Sequence, residues 1–308
     1  MAITLGGAGG GSEVNDQKFI NSEESLITTS SGQKWLKSGT LSSDTTTYPD
    51  ATSTFSGATY ANTTFNISGQ GTDPEGMAND GAGNFWICFN NEAYIRKYNS
   101  SFVYQNVQIN LGSGADPRGL FYVASSAKTS SVSDGGVAVL YVALSNIGGV
   151  KRYNASTGAE MSGYITNAGN VRGVTVDSDN YVWTIESNGN VKKWNASDNT
   201  AAANFSTFGT AGGGDIFEKD GFLWAVSTTH VAHKYAKSGT NVNQSFVLNP
   251  TNTGGDGKAG ITLTDTNLYY AHWYLSAAVG VQKYNINNDI GLSTSLFEAG
   301  SPLYTRIK

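Results

Sequence analysis

The sequence has few of the residues that define several common protein classes. It contains a single cysteine, Cys88, so a disulfide framework is excluded. Charged residues make up only 14% of the chain, and the net charge is −5. Because there is no run of basic residues, a ligand recognised through its phosphate backbone would gain little from counterion release. Nucleic acid is therefore not an expected partner.

Long apolar segments are also missing. No stretch approaches the roughly 18 consecutive apolar residues of a membrane span. The first residues, Met1 to Leu5, are followed by a glycine-rich tract and lack the basic and apolar regions of a signal peptide. We therefore expect a soluble protein that is made in the cytoplasm and is not inserted into a membrane.

Glycine, in contrast, is abundant, with 38 residues, and Ser, Thr, Asn and aromatic residues dominate much of the remaining sequence. β-Branched and aromatic residues favour strands, whereas Gly and Asn favour tight turns. This composition predicts an all-β protein.

One sequence pattern recurs five times between Asp73 and Asn285. It consists of a Gly-led apolar strand, a turn of Gly, Asn or Asp, an aromatic-rich strand, and a strand that ends in a basic residue and an aromatic. The closing aromatics are separated by 55, 41, 41 and 49 residues, and they are Tyr98, Tyr153, Trp194, Tyr235 and Tyr284. A period of roughly 40–50 residues is typical of a β-propeller blade. The sequence predicts a propeller of five four-stranded blades.

The first blade is preceded by Thr64–Ser68, which resembles the fourth strand of the later repeats. Such a strand can complete the last blade and remove the free sheet edges. A sixth, composite blade is the alternative, because residues 293–297 resemble another fourth strand and residues 303–308 weakly resemble the third strand with its basic residue. We expect two regions: a docking region over 1–55 and the propeller over 56–308.

The docking region begins with a glycine-rich arm, expected to order only against a partner. Its glycines are predicted assembly residues: Gly6, Gly7, Gly9, Gly10 and Gly11. From Leu26 to Leu41 the pattern predicts a hairpin around Ser31-Gly32-Gln33, and its Trp35 is a further predicted assembly residue.

Motifs for catalysis or metal binding are weak. Asp177-Ser178-Asp179-Asn180 resembles the start of a calcium loop, but the downstream Gly and Glu are missing, so a turn is the preferred interpretation. The chain has three histidines, His230, His233 and His272. His230 and His233 occupy a strand position where other repeats have ordinary residues, so a zinc site is not expected, and Gly-x-Ser-x-Gly is absent. We predict no catalytic residue, no metal and no cofactor.

The second strands carry aromatic residues at one repeat position, which favours a core role over sugar stacking. They are Trp86, Tyr141, Trp183, Trp224 and Tyr270. Differences between repeats are better candidates for function.

Because the first and second strands are antiparallel, the start of the first and the end of the second share one face near the axis. This geometry places Glu75, Arg118 and Arg172 beside a predicted loop containing His272, Trp273 and Tyr274. We predict a ligand-binding face there, for a host cell-surface glycan or protein. A packing plug is the alternative for the three aromatic residues. The Ser-rich insertion Ser125–Gly135 is predicted on the opposite face.

Several phrases resemble tail-fibre and related tail structural proteins of bacteriophages. They are Thr29–Gly39, Tyr48-Pro49-Asp50-Ala51, Lys97-Tyr98-Asn99-Ser100-Ser101 and Asp116-Pro117-Arg118-Gly119. The propeller is similar to the NHL-like class. The resemblance implies a virion component that docks through its N-terminal region and meets the host surface with its β-domain. Proteins of this kind are commonly trimers, but the chain lacks a long fibrous shaft, so a short spike, adaptor or decoration protein fits as well.

The leading hypothesis is a non-enzymatic virion protein whose propeller contacts a host-surface or virion partner. The alternative is a propeller-type polysaccharide lyase or glycosidase acting on host glycan. An enzyme should gather two or more carboxylates or a histidine around the axial mouth.

Overall fold

The computed structural model describes residues 17–19, 26–28, 34–40, 54–55, 64–67, 70–71, 73–90, 92–125, 136–166, 169–195, 200–207, 212–219, 221–248, 260–264, 267–275, 278–285 and 302–307. The chain divides into two compact units. One comprises residues 1–55 together with 292–308, and the other comprises residues 56–291. Within the described ranges, no helix has the length and apolar character needed to cross a membrane.

The described elements are almost entirely strands. In chain order they are β1 (Gln17–Phe19), β2 (Leu26–Thr28), β3 (Lys34–Thr40), β4 (Thr54–Phe55), β5 (Thr64–Asn66), β6 (Pro74–Asn79), β7 (Phe85–Phe89), β8 (Tyr94–Tyr98), β9 (Tyr104–Asn110), β10 (Pro117–Val123), β11 (Val139–Leu144), β12 (Gly149–Asn154), β13 (Glu160–Ile165), β14 (Val171–Val176), β15 (Tyr181–Glu186), β16 (Asn190–Asn195), β17 (Ala201–Ser206), β18 (Gly213–Lys219), β19 (Phe222–Ser227), β20 (Val231–Ala236), β21 (Asn241–Val247), β22 (Gly260–Leu263), β23 (Asn267–Leu275), β24 (Ala278–Asn285) and β25 (Pro302–Ile307). A three-residue 3-10 helix, Ser145–Ile147, follows β11.

Residues 56–291 form the propeller, and the predicted all-β fold of five four-stranded blades is confirmed. The blades are antiparallel sheets with the strand orders β6-β7-β8-β9, β10-β11-β12-β13, β14-β15-β16-β17, β18-β19-β20-β21 and β22-β23-β24-β5. The predicted closing strand is also confirmed, because Phe65 of β5 pairs with Val281 of β24. The last blade therefore combines strands from the start and the end of the propeller sequence.

The sheet of the other unit has the order β1-β25-β3-β2. The predicted hairpin is confirmed, with Ile27 of β2 opposite Trp35 of β3. One expectation and one alternative are corrected. Gln17–Phe19 falls in the arm of residues 1 to about 20 that was expected to order only against a partner, but it pairs with β25 of the same chain, as Gln17 does with Thr305. β25, which the alternative of a sixth, composite blade assigned to a third strand, instead hydrogen-bonds to β1 and β3.

The physical reason is that β25 is rich in strand-forming residues, including Tyr304, Thr305 and Ile307, and can hydrogen-bond along both of its edges. The glycines at positions 6–11 and the suggested fourth strand at 293–297 lie outside the described residues. The boundary of the docking region at residue 55 stays a prediction.

Packing between neighbouring blades forms the propeller core. The second strands are buried along almost their whole length, because adjacent sheets cover both of their faces. Trp183, for example, is 0% exposed and lies in a cluster with Ile216 and Leu223 of the next blade. The predicted core role of the repeated aromatics is confirmed, since all five are buried.

The basic residue of each third strand also has a structural role. Lys97 lies opposite Trp86 in the ladder, and its Nζ is 5.3 Å from the centre of the Trp86 ring. Lys193 is opposite Trp183 in the same way, and its Nζ is 3.5 Å from the ring centre of Tyr181. An ammonium over an aromatic face is attracted by the ring quadrupole, and its methylene stem covers apolar surface. The repeated basic and aromatic residues therefore stabilise one another across the blade.

We predict that residues 56–291 fold without the rest of the chain, because this compact unit contains all five blades. A fragment that begins at residue 73 should aggregate, since it lacks β5 and exposes the edge of β24. Size-exclusion chromatography and circular dichroism of the two fragments test this. Insolubility of 56–291, or a folded monomer from 73–291, would contradict the prediction.

Two buried tryptophans allow a matched test of one hydrogen bond. The indole N–H of Trp183 donates to Asp177 Oδ2 at 2.9 Å, whereas that of Trp86 has no partner in the described part of the chain. Trp183→Phe should therefore reduce the free energy of unfolding more than Trp86→Phe, by about 1.5–3 kcal/mol, the range for hydrogen bonds to charged groups. Urea denaturation measures both variants, and equal losses would refute this contribution.

Candidate axial binding site

Four glycines allow the inner strands of the propeller to approach one another at the axis. A Cβ atom on Gly119 would lie 2.7 Å from Cα of Gly173, and one on Gly76 would lie 2.8 Å from Cα of Gly119. A Cβ on Gly260 would lie 2.8 Å from Cα of Gly76. These separations are too short for real side chains, so backbone packs directly against backbone. Glycine at this repeat position sets the radius of the ring.

Asp215 occupies the same position in the fourth blade. Its Oδ1 accepts a hydrogen bond from the backbone N–H of Ile216 at 2.8 Å, and its Oδ2 accepts one from Ile261 of the fifth blade, also at 2.8 Å. The carboxyl group therefore joins two blades at the axis. Burial raises the pKa of Asp215 well above its ordinary value, although the two N–H groups act in the opposite direction.

Four of the five first strands, β6, β10, β14 and β18, have a β-bulge immediately before this position. The fifth, β22, begins at the position itself. The ladder shifts register between Pro74 and Gly76, and the same irregularity occurs in β10, β14 and β18. The extra residues are Glu75, Arg118, Arg172 and Gly214. A bulge re-aims the side chain of its extra residue. The three charged residues that the sequence placed at one repeat position thus share one structural origin.

The structure brings two of these predicted residues together. Arg118 Nη1 lies 2.5 Å from Glu75 Oε1, and Nη2 lies 2.9 Å from Asp116 Oδ2. Glu75 is 2% exposed and Arg118 is 9% exposed, so the pair is internal. Arg172 is half-buried on its own bulge. The binding of a ligand by these residues stays a prediction.

The predicted aromatic loop is corrected. His272, Trp273 and Tyr274 continue the strand β23, which extends to Leu275 and turns directly into β24. The register shifts between His272 and Leu275. Aromatic residues favour extended backbone, which explains a longer hairpin in this blade than in the others. The side chains of these three residues lie outside the described part of the structure.

A histidine that the sequence placed in a strand lies in the turn between β19 and β20. His230 has a φ of 64° and is 2% exposed, and its Nδ1 forms a hydrogen bond with the hydroxyl of Tyr270 in the next blade. Burial lowers the pKa of His230, which favours the neutral ring. This contact joins the fourth and fifth blades. The sequence pattern could not predict it, because the two side chains come from different repeats.

The interpretation of Asp177 as a turn residue is confirmed. Its Oδ1 accepts hydrogen bonds from the backbone N–H groups of Asp179 and Tyr181, and its Oδ2 lies 3.1 Å from Lys237 Nζ. Among the described residues, no group of three His, Cys, Asp or Glu side chains is placed to hold a metal ion.

A cavity of about 780 Å³ opens at the other end of the first strands. All five first strands contribute to its lining, together with the turns that follow β6 and β14. The sequence analysis assigned no ligand to this end. Its only signals were the turn at Asp177–Asn180 and the insertion after β10, whose residues 126–135 lie outside the described structure.

Comparison with known proteins gives a likeness of fold. No protein-family model and no curated protein sequence matches the chain. Among solved structures it is similar to a streptogramin B lyase, at 15% identity over 84% of this chain and 78% of the other, with a TM-score of 0.43. It is also similar to a catalytically inactive virginiamycin B lyase from Staphylococcus aureus with quinupristin, at 12% identity, 87% and 98% coverage and a TM-score of 0.44. Raptor from Chaetomium thermophilum matches at 12% identity over 66% of this chain and 18% of the other, with a TM-score of 0.40.

We predict that Asp215 makes stability fall as pH rises. Its pKa is raised in the folded protein, so the folded state binds the proton more tightly than the unfolded chain, whose pKa is about 3.9. That contribution is fully present below the unfolded pKa and is lost as the pH rises towards the folded pKa. Asp215→Asn should therefore gain stability relative to the wild type as pH increases above about 4.

Urea denaturation of both proteins at several pH values measures this difference. Asp179→Asn is the control, because the side chain of Asp179 is 69% exposed. A constant difference between Asp215→Asn and the wild type across the pH range would show that Asp215 does not titrate differently on folding.

Proposed function

We propose that the protein is a non-enzymatic structural protein of a bacteriophage particle. In this proposal the N-terminal region attaches the chain to other virion proteins, and the propeller contacts the host surface or a further virion protein. The resemblance to phage tail proteins supplies the biological setting. The propeller supplies a rigid platform with two axial ends.

The non-enzymatic part rests on the burial and pairing of the charged groups at the narrow end of the axis, where the first strands begin. Glu75 and Arg118 neutralise each other in a buried pair, and both carboxylate oxygens of Asp215 accept backbone hydrogen bonds. A general acid or base must reach the atom whose proton it transfers. Charged groups that are buried and paired with one another or with the backbone suit a scaffold better than a catalyst.

A propeller lyase or glycosidase is the second candidate, favoured by the perturbed groups near the junction of the last two blades. Asp215 has a raised pKa and His230 a lowered one, and such shifts are frequent at catalytic sites. Burial is the largest cause of both pKa shifts, however, because Asp215 is only 1% exposed and His230 only 2% exposed. The structural role is therefore the better account.

The oligomeric state and location follow from the resemblance. We propose a homo-oligomer, with a trimer favoured, located on the tail or another surface of the particle and requiring no cofactor. Assembly contacts are proposed for Trp35 and for Gly6, Gly7, Gly9, Gly10 and Gly11. The outer strands of the sheet in that unit are β1 and β2, and an outer strand offers an edge for pairing with a partner.

The proposal predicts that the chain co-purifies with intact particles. Mass spectrometry of density-purified particles should detect the full-length protein, and a form lacking residues 1–55 should stay in the soluble fraction while its propeller remains folded. A form with Arg172→Ala is the matched control for particle incorporation, because its change lies outside the docking region.

Absence of the full-length protein from purified particles would overturn the virion role. Release of reducing ends or unsaturated sugars from host polysaccharide by the purified protein would favour the enzymatic candidate instead.

A further inference from the structure

We propose that the wide end of the propeller axis is a binding site for the end of a neutral oligosaccharide. The site is the cavity of about 780 Å³ at the ends of the five first strands. This inference deepens the proposed function, on which it rests, by naming the ligand-binding face and the class of ligand. It favours the face opposite to the one that the sequence indicated.

The floor of the cavity is apolar. Its lining includes one aliphatic residue from each of four first strands, directly after the glycine or aspartate that sets the ring: Leu120, Val174, Ile216 and Ile261. Farther out, Tyr122 and Phe217 contribute aromatic surface. A sugar ring presents C–H groups on one face, and these pack favourably against aliphatic and aromatic side chains.

The rim carries polar groups with unused hydrogen-bonding capacity. The hydroxyls of Tyr122 and Ser178 and the side-chain amide of Asn180 make no hydrogen bond within the described part of the chain, and all three residues line the cavity. Together they supply donors and acceptors of the type that sugar hydroxyls require. Asn180 is held in position by its turn, with a φ of 67°.

The acidic side chains at the rim already form hydrogen bonds and ion pairs within the protein. Asp80 accepts hydrogen bonds from Ala82 and Asn84, each at 2.9 Å, and its other oxygen lies 3.2 Å from Lys97 Nζ. Burial alone would raise the pKa of Asp80, but these hydrogen bonds outweigh it and lower the pKa, which keeps the group ionised and paired.

Asp177 and Glu218 are compensated in a similar way. Lys237 Nζ lies 3.1 Å from Asp177 Oδ2 and 3.9 Å from Glu218 Oε1. Lys237 is shared by these carboxylates and Asp179, and Lys219 also lines the cavity, so the opposite charges around the mouth largely offset one another. A neutral ligand with many hydroxyls fits this balance better than a charged one.

The size of the cavity agrees with this class. Sites for small molecules typically enclose about 300–1,000 Å³ and combine apolar walls with a few oriented polar groups. A short oligosaccharide fits that range, whereas a folded protein partner would require a larger and flatter surface.

Binding of neutral trisaccharides by the full-length protein tests the inference. The probes are maltotriose, cellotriose, mannotriose and triacetylchitotriose, with sialyllactose as the charged comparison, and calorimetric titration gives each Kd. We expect at least one neutral probe to bind with a millimolar or lower Kd and more tightly than sialyllactose.

Two small substitutions locate the site. Tyr122→Phe removes one hydroxyl, and Asn180→Gly removes the amide while keeping a residue suited to positive φ. Each should weaken binding of the neutral probe about three- to tenfold, the effect of one lost hydrogen bond. Asn106→Gly is the matched control, because Asn106 has a φ of 56° and is exposed on β9 away from the cavity. It should leave the Kd unchanged.

Failure of all four neutral probes to bind, preference for sialyllactose, or equal affinity of the Tyr122→Phe, Asn180→Gly and Asn106→Gly variants would overturn the inference. The outcome is separable from that of the proposed function. Trisaccharide binding through this mouth by a protein absent from particles would contradict the virion role alone. A protein found in particles that binds no probe would contradict the oligosaccharide site alone.

Discussion

The close approach of five inner strands at the propeller axis is the constraint on which the other features depend. At Gly76, Gly119 and Gly173 there is no room for a Cβ atom, because the neighbouring backbone already lies within 2.8 Å of where it would be. Backbone contact at this radius fixes how closely the blades pack. It also leaves the bulged residue before each of these glycines as the first side chain that can face the axis.

Asp215 shows how one blade departs from this rule without breaking the ring. A side chain at this position has to fill space that backbone fills elsewhere, and its carboxyl group does so by accepting N–H groups of Ile216 and Ile261. The cost of burying a charge is reflected in its raised pKa. The same junction contains the His230–Tyr270 hydrogen bond, so two polar side-chain contacts join the fourth and fifth blades.

The sequence predicted the features that repeat. Spacing of the closing aromatics gave the number of blades, and the resemblance of Thr64–Ser68 to a fourth strand gave the closure. It could not predict contacts between residues of different repeats, such as Glu75 with Arg118, because pairing depends on side-chain direction at a bulge. Nor could it predict that β25 pairs with β1 and β3, since strand register over long sequence separations leaves no local pattern.

The two ends of the axis differ because the inner strands touch at the ring of glycines and leave a cavity at their other ends. At the narrow end the charged residues are forced together and neutralise each other, as Glu75 and Arg118 do. At the wide end divergence leaves space that aliphatic residues line and turn residues surround. A small molecule has room at this end, so under the proposed oligosaccharide site recognition depends more on turn residues such as Ser178 and Asn180 than on charge at the strand starts.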